Sequence, residues 1–377
     1  MKMIVSLASR KVCRSRLRSG LTALFYTLLL NSCASMPPGD SVHPGRFEFA
    51  VIGDQQYTAE DERNFPNLMS ALNDANPAFV VHVGDFQGDY NGYKPGDGSP
   101  PCTDETMVHL KRMFQTSKQP FIVTPGDNDW SDCHKRKINP FDPLDRLAKV
   151  REVFFPNDQS LGQRTMTVTQ QSKEPKYSKY RENARWTYND ILFVTIHTVG
   201  SNNNLGRTRE MDSEYGERNA ANLVWMKEAF DLAKRNGNKG LVILTQGNPE
   251  FEDFWVPRRL GQYLRGFRGV LEGTKPEQLA EIRKKSGYTD MVRTLEAEVL
   301  TFSRPVLFVH GDTHVFRIDK PLFSSKSRRS IEYFTRVEVF GSPYAHWVRL
   351  VVDPSKPGLF TVTPEIVEKN LVNHLGK

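Results

Sequence analysis

Four apolar runs in this chain each break off in Gly-Asp, and no other feature restricts the possible folds so strongly. They are Phe47 to Gly53-Asp54, Phe79 to Gly84-Asp85, Phe121 to Gly126-Asp127, and Pro305 to Gly311-Asp312, the last continuing into Thr313-His314. An apolar run that stops abruptly at glycine and a polar residue reads as a buried strand whose C-terminal end delivers a side chain onto a loop. That is the usual place for a ligand in an α/β sheet. Four such ends raise the question of what four converging carboxylates hold.

The stretches between them predict the connecting elements. A helix is expected over 61–74, where Phe65, Met69 and Leu72 share a face, so the first two strands form a parallel, buried βαβ unit. Further helices are expected over 105–114 and 143–155. A hairpin pairs 185–188 with 191–196 across Asn189-Asp190. Leu223, Met226, Phe230 and Ala233 mark the core face of a helix over 217–236, with Gly237 at its stop. A strand over 240–245 runs into Gln246, and residues 250–303 read as an insertion. After His314 the pattern is β-rich, over 315–318, 336–340, 347–352 and 359–362. The expected core is one α/β domain over 47–352 with a mixed sheet, followed by a C-terminal strand and tail over 353–377.

With 377 residues, 38% of them hydrophobic, the chain is long enough to bury a sizeable core. Its net charge of +7 includes six cations within residues 1–32 (Lys2, Arg10, Lys11, Arg14, Arg16 and Arg18) and no acid there, which leaves +1 for the rest. Nothing global therefore indicates nucleic-acid binding. The basic start precedes an apolar run over 21–30, about half the length of a bilayer span, so 1–32 is expected to be a secretory signal peptide. Leu30-Asn31-Ser32-Cys33 resembles a bacterial lipobox, which makes Cys33 the expected lipidation site; an ordinary signal cleaved nearby is the alternative. Residues 33–46, rich in Pro, Gly and Ser, suit a flexible tether. Ala34 suits outer-membrane sorting by analogy, so the expected location is the bacterial cell envelope, in the periplasm, with the lipid anchor as the only membrane contact. Of the four cysteines, Cys13 leaves with the signal and Cys33 carries lipid. Cys102 and Cys133 then read as a disulfide in an oxidising compartment, bracing two loops over the Gly-Asp face and worth roughly 2–4 kcal/mol.

The order of the strand-end motifs resembles that of the calcineurin-like metallophosphoesterases: Gly53-Asp54-Gln55-Gln56, Gly84-Asp85-Phe86-Gln87-Gly88-Asp89, Gly126-Asp127-Asn128-Asp129, a strand end at Gln246, and Gly311-Asp312-Thr313-His314. The family pattern is DxH, GDxxx[DN], GNH[DE], a lone His and GHxH. The resemblance implies a four-layer α/β/β/α sandwich with mixed sheets, and a site for one or two divalent metal ions that cleaves a phosphate mono- or diester by metal-activated water. By position, Asp54, Gln56, Asp85 and His314 would surround one metal. Asp85 would bridge to a second, held also by Asp127 or Asn128, Gln246 and Asp312.

The departures from the pattern matter too. Three positions that carry imidazole in the family are amide or carboxylate here, and hard oxygen donors favour Mn²⁺ or Mg²⁺ over Zn²⁺ and iron. Asn128 stands where the family has its assisting histidine and cannot deliver a proton, so the leaving group needs another acid such as His134, which also reads as a solvated loop residue. His82 and His310 read as core histidines. His197 and the Gly200-Ser201-Asn202-Asn203-Asn204 loop read equally as a plain turn or as a wall of the site. Arg258 and Arg259, interleaved with aromatics in the insertion, belong either to an amphipathic helix covering the domain or to a substrate-side lid. The leading expectation is a hydrolase of a small phosphoester. The alternative is a catalytically degenerate relative serving as an envelope-associated binding protein.

Overall fold

The computed structural model describes residues 45–89, 99–137, 140–251 and 286–372. Cys33, Arg258 and Arg259 lie outside the described residues.

The first three Gly-Asp runs form strands β1 (Phe47–Ile52), β2 (Val80–His82) and β3 (Phe121–Val123), paired in parallel. Helix α1 (Ala59–Ala75) joins β1 to β2, and α2 (Asp104–Phe114) joins β2 to β3. Each helix starts at a threonine whose hydroxyl accepts a backbone N–H of the first turn: Thr58 from Asp61, and Thr103 from Thr106. Helix α3 (Pro143–Phe154) begins on Asp142 with proline at its first position. Strands β4 (Thr169–Gln170), β5 (Ala184–Tyr188) and β6 (Ile191–Thr195) follow, with β5 and β6 forming the hairpin expected across Asn189-Asp190.

Helix α4 spans Arg209–Arg235, two turns further towards the N-terminus than the expected 217–236. Thr208 caps it by accepting the Met211 N–H at 3.2 Å. Because those first turns are almost wholly polar, apolar spacing could not reveal them. Strand β7 (Gly240–Leu244) follows. Helix α5 (Thr289–Phe302) lies inside the stretch read as an insertion, yet it buries Met291, Val292, Leu295, Val299 and Phe302 in the core. The remaining strands are β8 (Val306–His310), β9 (Arg317–Asp319), β10 (Phe334–Glu338), β11 (Trp347–Val352) and β12 (Phe360–Glu365).

Two mixed sheets result, with strand orders β12-β11-β1-β2-β3 and β4-β5-β6-β7-β8-β10-β9. Strand alternation assigns each face. Phe49, Val51, Val242, Leu244, Leu307 and Val309 fill the space between the sheets. Ala50 and Ile52 turn outward onto α1, α2 and α3, while Leu241, Ile243, Val306 and Phe308 turn onto α4 and α5. The architecture is the expected α/β/β/α sandwich. Strand β12 pairs along the whole of β11 and so belongs to the first sheet.

Cys102 and Cys133 are bonded, with Cα atoms 5.8 Å apart, and both are buried. The bridge ties the start of α2 to the turn at Ser131–Lys135, and both sulfurs lie against the Asn128 carbonyl. Replacing both cysteines with alanine is expected to lower stability by about 2–4 kcal/mol in urea unfolding, because the loop then regains its entropy in the unfolded chain.

Candidate active site

The parallel strands of both sheets end on one side of the sandwich, and their loops interlock there. Gly311 lies so close to Asp54 that a Cβ would come within 2.0 Å of its Oδ2. Gly126 lies equally close to the Oδ1 of Asp85. In these two pairs the glycine makes room for the carboxylate of another pair, whereas Gly53 and Gly84 make room for Val83 and Gln246. Asp54 accepts the Asp312 N–H on both oxygens at 3.0 Å, joining the two sheets.

Asp85 stands at the centre. Its Oδ1 accepts the Asn128 N–H at 3.0 Å, and its Oδ2 accepts the Tyr57 hydroxyl at 2.8 Å and the Gln246 amide at 3.1 Å. Asp127 accepts the Ser201 hydroxyl at 2.6 Å, and Asp312 accepts the Asn248 N–H at 2.9 Å. Asp54, Gln56, Asp85, Asp312 and His314 all have left-handed backbone conformations, with φ between 50° and 86°. Such conformations are rare outside glycine and cluster where a site dictates the backbone.

Burial holds the Asp54 carboxyl well above the usual carboxylate range, with Asp312 and Glu338 adding to the effect. Burial also raises Asp85, helped by the charges of Asp127 and Asp54. Asp127 is raised to about 6, by burial and then by Asp132, and Asp312 to about 7, by burial and then by Asp127. Buried carboxylates this close can be neutralised by protons or by a cation.

The donors present suit a divalent ion in their chemistry. The Nδ1 of His314 lies 2.8 Å from the Ser342 carbonyl, which can only accept, so Nδ1 carries the proton and Nε2 keeps its lone pair. Gln56 is 5% exposed, and neither of its amide atoms has a hydrogen-bond partner among the described residues. A buried amide with both atoms unpartnered is free to accept a ligand. As they stand, no three His, Cys, Asp or Glu side chains among the described residues are grouped to hold an ion, since the carboxylate oxygens are turned onto N–H and O–H donors.

The other candidates divide. His82 and His310 are fully buried, and desolvation lowers both, His82 to about 3. His197 is buried against Glu182 at 2.8 Å, but the loop that follows it does face the carboxylates, through Gly200 and Ser201. His134 is exposed, with its Nδ1 2.7 Å from the Ser131 carbonyl and 3.2 Å from Arg207, whose other nitrogen holds Asp132. It touches none of the central carboxylates through these bonds. Asp89 pairs with Lys135.

Two contributors had no role assigned from sequence, and a third, Ser201, stood in a loop read as either a plain turn or a wall of the site. Tyr57 directly follows the first motif and donates to Asp85. Asp129, the acidic end of the third motif, accepts the Asp85, Phe86 and Gly126 N–H groups at 2.8–3.0 Å and so shapes two loops at once. Ser201 reaches Asp127 from the second sheet.

The profile of the calcineurin-like phosphoesterases matches residues 47–316, most of the chain and every motif but none of β9 to β12. The chain belongs to the calcineurin-like phosphoesterase family. Membership supports metal-dependent phosphoesterase activity at the level of the family, and it implies divalent metal ions. Similar solved structures include PhoD, at 13% identity over 85% of this chain and 68% of that one with a TM-score of 0.48. A cold-active protein tyrosine phosphatase of a psychrophilic Shewanella is also similar, at 11% identity over 85% and 80% with a TM-score of 0.27. No curated protein matches the chain.

Proposed function

We propose that the protein hydrolyses phosphate mono- or diesters of small molecules, with Asp54, Gln56, Asp85 and His314 as the principal metal-binding residues. The observation that carries this reading is the convergence of Asp54, Asp85, Asp127 and Asp312 from both sheets, together with a buried Gln56 amide that has no partner among the described residues and a free Nε2 on His314. A bound divalent ion would polarise the phosphoryl group and lower the pKa of an attacking water. The chain's own part is to fix Asp85 through Tyr57, Gln246 and the Asn128 N–H, so that its carboxylate cannot rotate. Asn128 has no proton to give to a leaving group, and His134 faces solvent beside Arg207. Substrates whose leaving groups depart without protonation are therefore favoured. The oxygen-rich donor set favours Mn²⁺ or Mg²⁺.

The location we infer is the periplasm, with a signal peptide over 1–32 and a lipid anchor at Cys33. Arg258 and Arg259 are proposed to meet the substrate; changing both to alanine is expected to raise KM several-fold at unchanged kcat, measured by steady-state kinetics.

A second reading, a binding protein without turnover, is favoured by the Asp85 oxygens being already engaged by three donors. Assays of 4-nitrophenyl mono- and diesters with Mn²⁺, Mg²⁺ or Zn²⁺ beside a chelated control decide between them. Chelator-sensitive hydrolysis is expected; metal uptake without hydrolysis would favour the binding protein.

A further inference from the structure

The loop after β6 carries the most unusual backbone in the described residues. Ser201, Asn202, Asn203 and Asn204 are consecutively left-handed, with φ of 49°, 58°, 54° and 66°. Asparagine enters this region more readily than most residues but usually singly, so a run of four persists only where other contacts dictate it. Those contacts are visible. Arg218, fully buried on α4, donates to the Asn203 side-chain oxygen at 2.6 Å and to its carbonyl at 3.1 Å, while Glu214 holds the same guanidinium at 2.6 Å. The Tyr288 hydroxyl accepts the Asn203 N–H at 3.3 Å and donates to the Val199 carbonyl at 2.8 Å.

This turn is pressed into one half of the acidic centre. Ser201 donates to Asp127 at 2.6 Å, and the Gly200 N–H donates to the Gln246 side-chain oxygen at 2.6 Å. A Cβ on Gly200 would lie 2.5 Å from the Oδ1 of Asp312 and 2.7 Å from the Oδ1 of Asp127, so only glycine fits between these two carboxylates. The bonds of Gln246 fix its orientation. One end must accept from an N–H and the other must donate to Asp85, so its oxygen points to Gly200 and only its NH₂ faces Asp85. Around Asp127, Gln246 and Asp312, hydrogen-bond donors from the chain thus stand where ligand lone pairs would be needed. The Asp54 carboxylate also accepts a chain donor, the Asp312 N–H, and the difference lies in the neutral groups: the Gln56 amide has no partner among the described residues and the Nε2 of His314 keeps its lone pair, whereas Gln246 is already committed.

Building on the function proposed above, we infer that this site takes a single divalent ion, on the side of Asp54, Gln56, Asp85 and His314, and that the Gly200–Asn204 turn with Gln246 replaces the second. The turn is then a built-in substitute for a metal. Its hydroxyl and amide protons neutralise part of the charge that a second cation would balance.

The test is a metal count on the purified protein after chelation and equilibrium dialysis against Mn²⁺, with an electron paramagnetic resonance spectrum of the same sample. One ion per chain and the spectrum of an isolated Mn²⁺ are expected. Gln56→Ala should weaken binding at least tenfold without changing the circular dichroism spectrum. The double variant Ser201→Ala, Gln246→His should take up a second ion. Two ions in the unaltered protein, or a spin-coupled pair, would overturn the inference while leaving the hydrolase reading intact. No uptake at all would overturn both.

Discussion

Changing Asp85 to asparagine is expected to lower kcat/KM for phosphate esters on the order of 10²–10³-fold and to weaken Mn²⁺ binding. Asp85 is the one side chain that all three neighbouring loops address, through the Tyr57 hydroxyl, the Gln246 amide and the Asn128 N–H. Each of these groups donates. An asparagine must aim its own NH₂ at one or more of them, so a donor meets a donor and one buried bond is lost. That mismatch is expected to lower stability by about 1–3 kcal/mol, seen as a reduced melting temperature. Wild-type turnover in the variant would show that Asp85 takes no part in the chemistry.

The second large effect is on stability against pH. Burial raises Asp127 to about 6, Asp312 to about 7 and Asp129 to about 8, each from an ordinary 3.8. For a carboxyl group raised on folding, the folded chain holds the proton more tightly. Its contribution to stability is therefore complete below the unfolded pKa and is lost as pH rises through the folded one. Glu182 works in the opposite sense, since Arg151 and His197 outweigh its burial and lower it; its contribution is lost only in acid below the ordinary 4.5. The buried His82, His197 and His310, which desolvation lowers from the ordinary 6.5, also destabilise the fold as pH falls below that value, so the raised carboxyls alone set the slope only above about pH 7. The metal-free protein should melt lower at pH 8 than at pH 7, by on the order of 3 °C. Mn²⁺ at pH 8 should restore most of the difference, because the ion takes over the role of the protons. A melting temperature that rises from pH 7 to pH 8 in chelator would contradict this.

The strand ends were legible in the sequence because each is a local event, an apolar run broken by Gly-Asp. The disulfide was legible because only two cysteines remained beyond the amino-terminal segment. Helix α5 could have been found, since Met291, Val292, Leu295, Val299 and Phe302 fall at helical spacing. The role of the Gly200–Asn204 turn could not. Its conformation depends on Arg218 and Tyr288, and its contacts on Asp127, Gln246 and Asp312 from three other loops. Tyr57 and Asp129 stand within or beside the motifs, but their partners come from other strand ends, so proximity in sequence gave them no function. The resemblance to the family gave the positions at which metal-binding residues are proposed. It could not show that their oxygens are turned onto donors supplied by the chain.

The most direct test of the central claim is one titration of the chelator-stripped protein with Mn²⁺, following bound metal and phosphate-ester turnover in the same samples. Turnover should rise in proportion to bound metal and level off as binding saturates. Turnover that survives chelation, or none at full occupancy, would contradict a metal-dependent phosphoesterase.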